Sequence, residues 1–369
     1  MKVIIAGGGT GGHLFPGIAV ADEFRRRDPG CRILFIGTER GIEKKVLPTL
    51  GYDLQTLDVA GIKGMGILRA FKALGKIPRS FLDSWKVIKG FNPDMVLGVG
   101  GYASGPVVLM AHMIGIPTAV AEQNALPGLT NRILGGFVDR VFLSFEETKR
   151  WFATRKTLIA GNPIRAGFTV HERDETKSGQ CFTILVFGGS QGAMAINRTM
   201  MDAARFLKDI RGRIRIIHQT GPGNVEDVST AYRAAGIDAE VYPFIMDMAK
   251  AYDEADILIC RAGATSIAEI TAAGKAAILI PFPYAVADHQ TKNARLLTQE
   301  GAAEMIPEHM LTGEMLAGMV HRFFDQPDTV RQMANNATRL GHPKAAADIV
   351  DACMDLLQFS YDRRINAPN

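Results

Sequence analysis

A short apolar run, a cluster of glycines, then apolar residues at helical spacing: this unit recurs along the chain and leaves few folds open. Residues 3–6, 95–99, 183–187 and 257–260 are the apolar runs that lead into small-residue loops. Residues 33–36, 118–121, 140–143, 158–160, 215–218 and 277–280 read as further buried strands. Helical patterns over 18–27, 107–114, 193–208 and 267–273 lie between them. Strands that are apolar on both faces and alternate with helices form parallel sheets covered by helices on either side. The series also restarts. A polar, aperiodic stretch at 171–180 separates two such runs. This predicts an α/β chain of two Rossmann-like, doubly wound parallel-sheet domains facing a cleft, 1–164 and 165–343. A final helix beginning near 344 is left to pack back on the first domain.

At 369 residues the chain is long enough for two cores. A hydrophobic fraction of 47% with 22% charged residues excludes disorder. Cys31, Cys181, Cys260 and Cys353 stand far apart with no CxxC pair, so neither a disulfide framework nor a zinc site is expected. His112, His218, His309, His321 and His342 show no paired spacing for a metal and read as structural. The opening apolar run is too short for the core of an export signal. No stretch of about 18 apolar residues occurs, the best being 106–116, so no membrane span is expected.

The first loop, Gly7-Gly8-Gly9-Thr10-Gly11-Gly12-His13, satisfies GxGxxG after a strand. The acid that should close the second strand of a dinucleotide site is missing, since Ile36 is followed by Gly37-Thr38. His13 and Pro16 also interrupt the apolar helix such a site would continue. A dinucleotide site, a bare tight turn and a loop shaped around another ligand all remain open, the last with His13 as its titratable group. Gly100-Gly101-Tyr102-Ala103-Ser104-Gly105 and Gly188-Gly189-Ser190-Gln191-Gly192 follow later strands in the same way. Glycine lets ligand oxygens approach backbone N–H groups at a helix start, where negative charge is favoured. Loops of this kind at several strand ends of one α/β chain point to a phosphorylated ligand.

Arg261-Ala262-Gly263-Ala264-Thr265-Ser266-Ile267-Ala268-Glu269 is the most informative segment, because small residues leave the first helical N–H groups bare for a diphosphate. Glu269, one turn in, suits a ribose diol or merely complements the helix dipole. Glu122-Gln123-Asn124 and Asp288-His289-Gln290 are polar clusters that read as sugar-pocket groups or as caps.

Residues 63–89 carry seven basic side chains against one acid, Asp83, a local excess larger than the formal +4 of the whole chain. Phe81, Trp85 and Ile88 share a helical face, with Leu74 and Ile77 just before an expected break at Pro78. Apolar groups ringed by Lys and Arg suit an anionic bilayer surface, although an amphipathic helix in such a domain ordinarily buries that face. The basic residues are confined to this segment and no nucleic-acid motif accompanies them, so no nucleic-acid partner is expected.

GGGTGGH at 7–13, GGYASGP at 100–106, EQN at 122–124, GNPIR at 161–165, GGSQGA at 188–193 and RAGATSIAE at 261–269 occur in that order. Together they resemble the MurG family of N-acetylglucosaminyltransferases, which convert lipid I to lipid II in peptidoglycan synthesis. The resemblance implies a glycosyltransferase-B fold, UDP-N-acetylglucosamine (UDP-GlcNAc) as donor and a lipid-linked acceptor. It also implies a peripheral place on the cytoplasmic face of the bacterial cytoplasmic membrane, with other cell-wall synthesis proteins as partners and no cofactor. It assigns Thr10, Gly11, Gly12 and Asn124 to the donor sugar–diphosphate, and Arg165 and Ser190 to the diphosphate region. The backbone of Ile245 would read the uracil edge. Ala264, Thr265, Ser266, Ile267 and Ala268 would cradle phosphates, with Glu269 on the ribose and Gln290 on the sugar hydroxyls. Membrane contact would fall to Leu74, Ile77, Phe81 and Trp85. The family often carries a histidine where this chain has Ala121, so no mechanism using that histidine carries over. His13 is then the candidate base for the acceptor hydroxyl and Glu122 its competitor. Helix-end N–H groups, with Arg261, would take up the leaving-group charge. A UDP-GlcNAc epimerase or another UDP-sugar transferase of the same fold is the alternative.

Overall fold

Among the described residues all strand pairs run parallel, in two separate sheets. The structure, a computed structural model, describes residues 1–39, 41–59, 67–165, 167–168, 181–189 and 191–365. The first sheet contains β1 (Lys2–Gly7), β2 (Arg32–Thr38), β3 (Asp53–Leu57), β4 (Met95–Gly100), β5 (Thr118–Glu122), β6 (Arg140–Leu143) and β7 (Thr157–Ile159). Its order is β3-β2-β1-β4-β5-β6-β7. The second contains β8 (Phe182–Phe187), β9 (Ile214–Gln219), β10 (Asp238–Tyr242), β11 (Ile257–Cys260), β12 (Ala276–Leu279) and β13 (Glu304–Met305), ordered β10-β9-β8-β11-β12-β13. The strand order therefore reverses between β1 and β4 in one sheet and between β8 and β11 in the other. In doubly wound sheets ligands bind at the carboxyl ends of strands at these switch points.

The chain forms two compact units, one of Met1–Arg165 with Lys344–Asn369 and one of Ala166–Pro343. Alternation along the strands explains the first core. Val3 and Ile5 of β1, with Ile33 and Phe35 of β2, pack under the helix Gly11–Arg27 and the C-terminal helix Ala345–Ile365. Ile4 and Ala6, with Leu34 and Ile36, face the opposite way onto Val107, Val108 and Ala111 of the helix Ser104–Met113. Burying each such aliphatic side chain stabilises by roughly 1.5–3 kcal/mol, which both faces of a parallel sheet require. In the second unit, Ile184, Val186, Ile257 and Ile259 pack with Ile196, Met200, Val228 and Tyr232 from covering helices.

The edge strands β3, β10 and β13 do not stand out in the sequence. Asp53–Leu57 is exposed at alternate residues and polar, so it lacks the apolar run that marks the central strands. Pro78 does not break its helix, which runs unbroken as Ile67–Phe91. A proline loses one intrahelical bond, and long helices absorb that loss.

Candidate active site at the two switch points

At the first switch point β1 ends in three glycines at positive φ, Gly7 at 147°, Gly8 at 141° and Gly9 at 88°. They allow the β1 and β4 loops to touch through backbone alone. A Cβ on Gly7 would stand 2.3 Å from the Gly100 carbonyl, and one on Gly101 would stand 2.7 Å from the Gly8 carbonyl. Thr10 is the exposed N-cap of Gly11–Arg27, and no side chain caps that helix. Gly12 is exposed and Gly11 half-buried. His13 is half-buried, with Nδ1 3.3 Å from Thr10 Oγ1. Its ring lies against Gly100, where a Cβ would come within 3.0 Å of Nε2. Arg165 holds its guanidinium 5.0 Å from the Phe15 ring on the same helix.

The next strand over, β5, ends at Glu122, which is buried with both carboxylate oxygens occupied. Oε1 accepts Asn124 N–H at 3.0 Å and Asn124 Nδ2 at 3.3 Å; Oε2 accepts Gly128 N–H at 3.0 Å and Asn131 Nδ2 at 2.9 Å. Burial raises this carboxyl above the usual carboxylate range, and the four N–H donors oppose the rise. Gln123 ties the same turn to β4 through its Nε2 bond to the Val99 carbonyl, at 3.1 Å.

At the second switch point the helix Ala264–Ala273 starts from Gly263 with no side-chain cap and no acid in its first turn. The helices Gly11–Arg27, Ser104–Met113 and Met194–Ala203 at the switch points share both features. Of the helices that begin elsewhere, Met248–Glu254 and Gly313–Asp325 are capped by Asp247 and Thr312, whereas Leu129–Leu134 and His289–Gln299 are likewise uncapped and without a first-turn acid. At the switch points the uncapped starts leave orphan N–H groups at the carboxyl ends of strands, where an anion can use them. Ala264 and Ile267 are buried, while Thr265, Ser266 and Ala268 are half-exposed. Thr265 Oγ1 is itself buried, with no hydrogen-bond partner among the described residues. Glu269 is only 4% exposed, with Oε2 3.5 Å from the buried Tyr252 hydroxyl.

Several expected roles change. The Ile245 N–H is already given to Gln219 Oε1 at 2.7 Å, so it cannot also read a base edge, and only the carbonyl can serve. Gln219, which the sequence did not single out, also donates to the Gly189 carbonyl at 2.9 Å and so ties the β8 loop to the 243–246 segment. Arg261 is not poised for a leaving group. Its Nη2 lies 2.5 Å from Glu308 Oε2, and Nη1 donates to the carbonyls of Ile280 and Pro281 at 3.1 and 3.2 Å. Gln290 accepts the Phe282 N–H at 2.9 Å through Oε1. Ser190 lies outside the described residues, as do the side chains of Leu74 and Ile77. His218 is structural, as expected: burial lowers its pKa to about 3, and it sits between Tyr232 OH at 2.8 Å and Asn197 Oδ1 at 3.2 Å.

Phe81, Trp85 and Ile88 share a side of the helix, but it lies at the edge of the buried face and is not wholly exposed. Ser80, Ser84, Val87 and Ile88 turn inward, Phe81 is half-buried, and Trp85 and the unforeseen Leu82 are 43% and 61% exposed. Lys89 Nζ sits 5.9 Å from the Trp85 ring. Among the described residues no helix is long and apolar enough to cross a membrane, and no group of His, Cys, Asp and Glu could hold a metal ion.

Comparison with known proteins bears on the fold and the family. Residues 3–143 match the glycosyltransferase family 28 N-terminal domain and 183–349 the glycosyltransferase family 28 C-terminal domain. The chain is 58% identical, over 97% of its length and 99% of the relative's, to a protein from Syntrophus aciditrophicus. That relative is named UDP-N-acetylglucosamine–N-acetylmuramyl-(pentapeptide) pyrophosphoryl-undecaprenol N-acetylglucosamine transferase. A Myxococcus xanthus protein of the same name is 48% identical over 97% of this chain and 93% of its own. A crystal structure of Acinetobacter baumannii MurG superposes with a TM-score of 0.78 at 33% identity, covering 96% of this chain and 99% of that one. A UDP-N-acetylglucosamine 2-epimerase reaches a TM-score of 0.66 at 14% identity, covering 100% of this chain and 99% of its own, a likeness of fold alone.

Proposed function

The chain belongs to glycosyltransferase family 28, and from that premise we propose how its residues divide the work of sugar transfer. Its two parallel-sheet domains are of the glycosyltransferase-B type. It moves N-acetylglucosamine from UDP-GlcNAc to lipid I, the N-acetylmuramyl-(pentapeptide) pyrophosphoryl-undecaprenol, and so forms lipid II. The observation that carries this is the span of the likeness, 97% of the chain, which takes in both switch points. Incubation with UDP-GlcNAc and lipid I should release UDP and lipid II. UDP-GlcNAc alone should give no epimer; turnover without acceptor would return the epimerase reading.

His13 is the general base. Imidazole is the side chain whose ordinary titration range spans neutral pH. Nδ1 lies 3.3 Å from Thr10 Oγ1, and Nε2 takes the proton of the acceptor hydroxyl as that oxygen attacks the anomeric carbon. Glu122 is the weaker candidate, because its oxygens already accept four N–H groups and shape the Asn124–Gly128 turn. Departing UDP leaves as an anion, and the uncapped N–H groups at the start of Ala264–Ala273 are suited to hold it. Thr10, Gly11, Gly12, Asn124, Arg165 and Ser190 attend the sugar and diphosphate, Glu269 the ribose and Gln290 the sugar hydroxyls. The uracil meets the Ile245 carbonyl. One displacement inverts the α-linked donor to a β-glycoside.

The chain works at an anionic membrane surface, on the cytoplasmic face, without spanning it. Exposed Leu82 and Trp85 beside Arg79, Lys86 and Lys89 support this, each basic residue adding about 1 kcal/mol near such a surface. Phe81→Ser/Trp85→Ser should weaken sedimentation with vesicles rich in phosphatidylglycerol. Early melting of that variant would instead assign the two rings to the core.

A further inference from the structure

Glu43 belongs to none of the motifs that carry the family likeness, yet its side chain is fully buried beside the first glycine loop. Oε2 accepts the Gly9 N–H at 2.9 Å. Oε1 accepts the Thr38 N–H at 2.8 Å and the Thr38 hydroxyl at 3.0 Å. The surrounding backbone is moulded to the carboxylate. A Cβ on Gly8, Gly37 or Gly41 would stand 2.8, 2.6 or 1.9 Å from its atoms. Gly8 and Gly9 lie at φ values of 141° and 88°, which glycine reaches without strain and also leaves without strain, so a tether is what singles out one loop conformation. A hydrogen bond to a buried carboxylate is roughly twice as strong as one between neutral groups, and it fixes this loop at the residue before Thr10.

We propose that Glu43 is a positioning residue for the transfer reaction: through Gly9 it sets the turn that presents Thr10 and His13. It acts on the loop and not on the reacting atoms, and the Gly9 N–H is consequently not a ligand donor. The part of this claim that concerns His13 rests on the assignment of His13 as base. Glutamine has the size of glutamate, but one oxygen becomes an NH2 group that must face either Gly9 N–H or Thr38 N–H, donor against donor. One tether is then lost without a cavity.

Steady-state kinetics with UDP-GlcNAc and lipid I test this. Glu43→Gln should lower kcat by about 10- to 100-fold, the scale of a small misplacement of a reacting group, with UDP affinity within about twofold and a rise in donor KM several-fold smaller than the fall in kcat. Thr38→Val removes only the hydroxyl bond and should give about a threefold loss of the same pattern, which keeps the claim testable if the Gln variant fails to fold. In a His13→Ala background, Glu43→Gln should add no more than about twofold. Wild-type kcat in both Glu43→Gln and Thr38→Val would overturn the proposal. So would a loss of UDP affinity matching the loss of kcat, which is what general loosening of the chain produces, or additive losses with His13→Ala. If His13→Ala alone kept full activity the base assignment would fail, whereas a Glu43→Gln loss in kcat at constant UDP affinity would still uphold the tether.

Discussion

At the β1/β4 switch point the donor of Gly9 is taken by the chain's own carboxylate, while at the β8/β11 switch point the helix Ala264–Ala273 opens without a cap and a buried Thr265 hydroxyl has no partner among the described residues. Both lie at the carboxyl ends of parallel strands, and both are rich in glycine and alanine. Topology therefore places a site but does not choose its ligand. What chooses is whether the chain has already satisfied its own backbone donors. The first point spends Gly9 on Glu43 and displays an imidazole, as a site for moving a proton requires. Both keep an uncapped helix start that an anion can use, and the second offers the buried Thr265 hydroxyl there in place of an imidazole.

The harshest test of this contrast is His13→Ala. General base catalysis contributes about 10²- to 10⁴-fold, so kcat should fall by that factor while donor KM barely moves. A comparable rise in donor KM would mean that His13 itself holds the donor, as Thr10, Gly11 and Gly12 do, and does not simply move a proton. A near wild-type rate would pass the base role to Glu122, despite its four N–H partners.

Much of this was legible in the sequence, for a physical reason. Central strands such as 3–6 and 257–260 are buried on both faces, so they are apolar throughout and visible as runs. Glycine loops are visible because only glycine tolerates the approach of Gly8 to Gly101. Glu43 left no mark, since a lone glutamate in a charged stretch looks like any solvated one until Thr38 and Gly9 fold around it. Arg261 and Ile245 misled for the complementary reason. A motif gives the residue type, but their partners, Glu308 and Gln219, come from distant strand ends and loops. Trp85 and Ile88 share a side of the helix by their spacing of three, yet the boundary of the buried face runs between them, which spacing alone does not show.

Glu269→Ala sharpens the other half of the comparison. Losing hydrogen bonds to a charged group should weaken UDP-GlcNAc binding by about 1–3 kcal/mol, read by titration calorimetry. Ribose contact makes a further demand: UDP lacking both ribose hydroxyls should bind wild type and variant alike. If the deoxygenated ligand also weakened by the full amount, Glu269 would be acting through Tyr252 and the fold of the helix, not on the diol.

The smallest effect separates ligand from scaffold most cleanly. A buried hydroxyl without a partner costs folding free energy, and an isosteric methyl does not, so Thr265→Val should leave the melting temperature unchanged or raise it. If the hydroxyl instead serves a bound phosphate oxygen, the same change should weaken UDP binding by about 0.5–1.5 kcal/mol. Stability and affinity must then move in opposite directions or separately. A variant that melted earlier yet bound UDP as tightly as wild type would show that the threonine belongs to the helix, and the second switch point would lose its claim to have been left open for an anion.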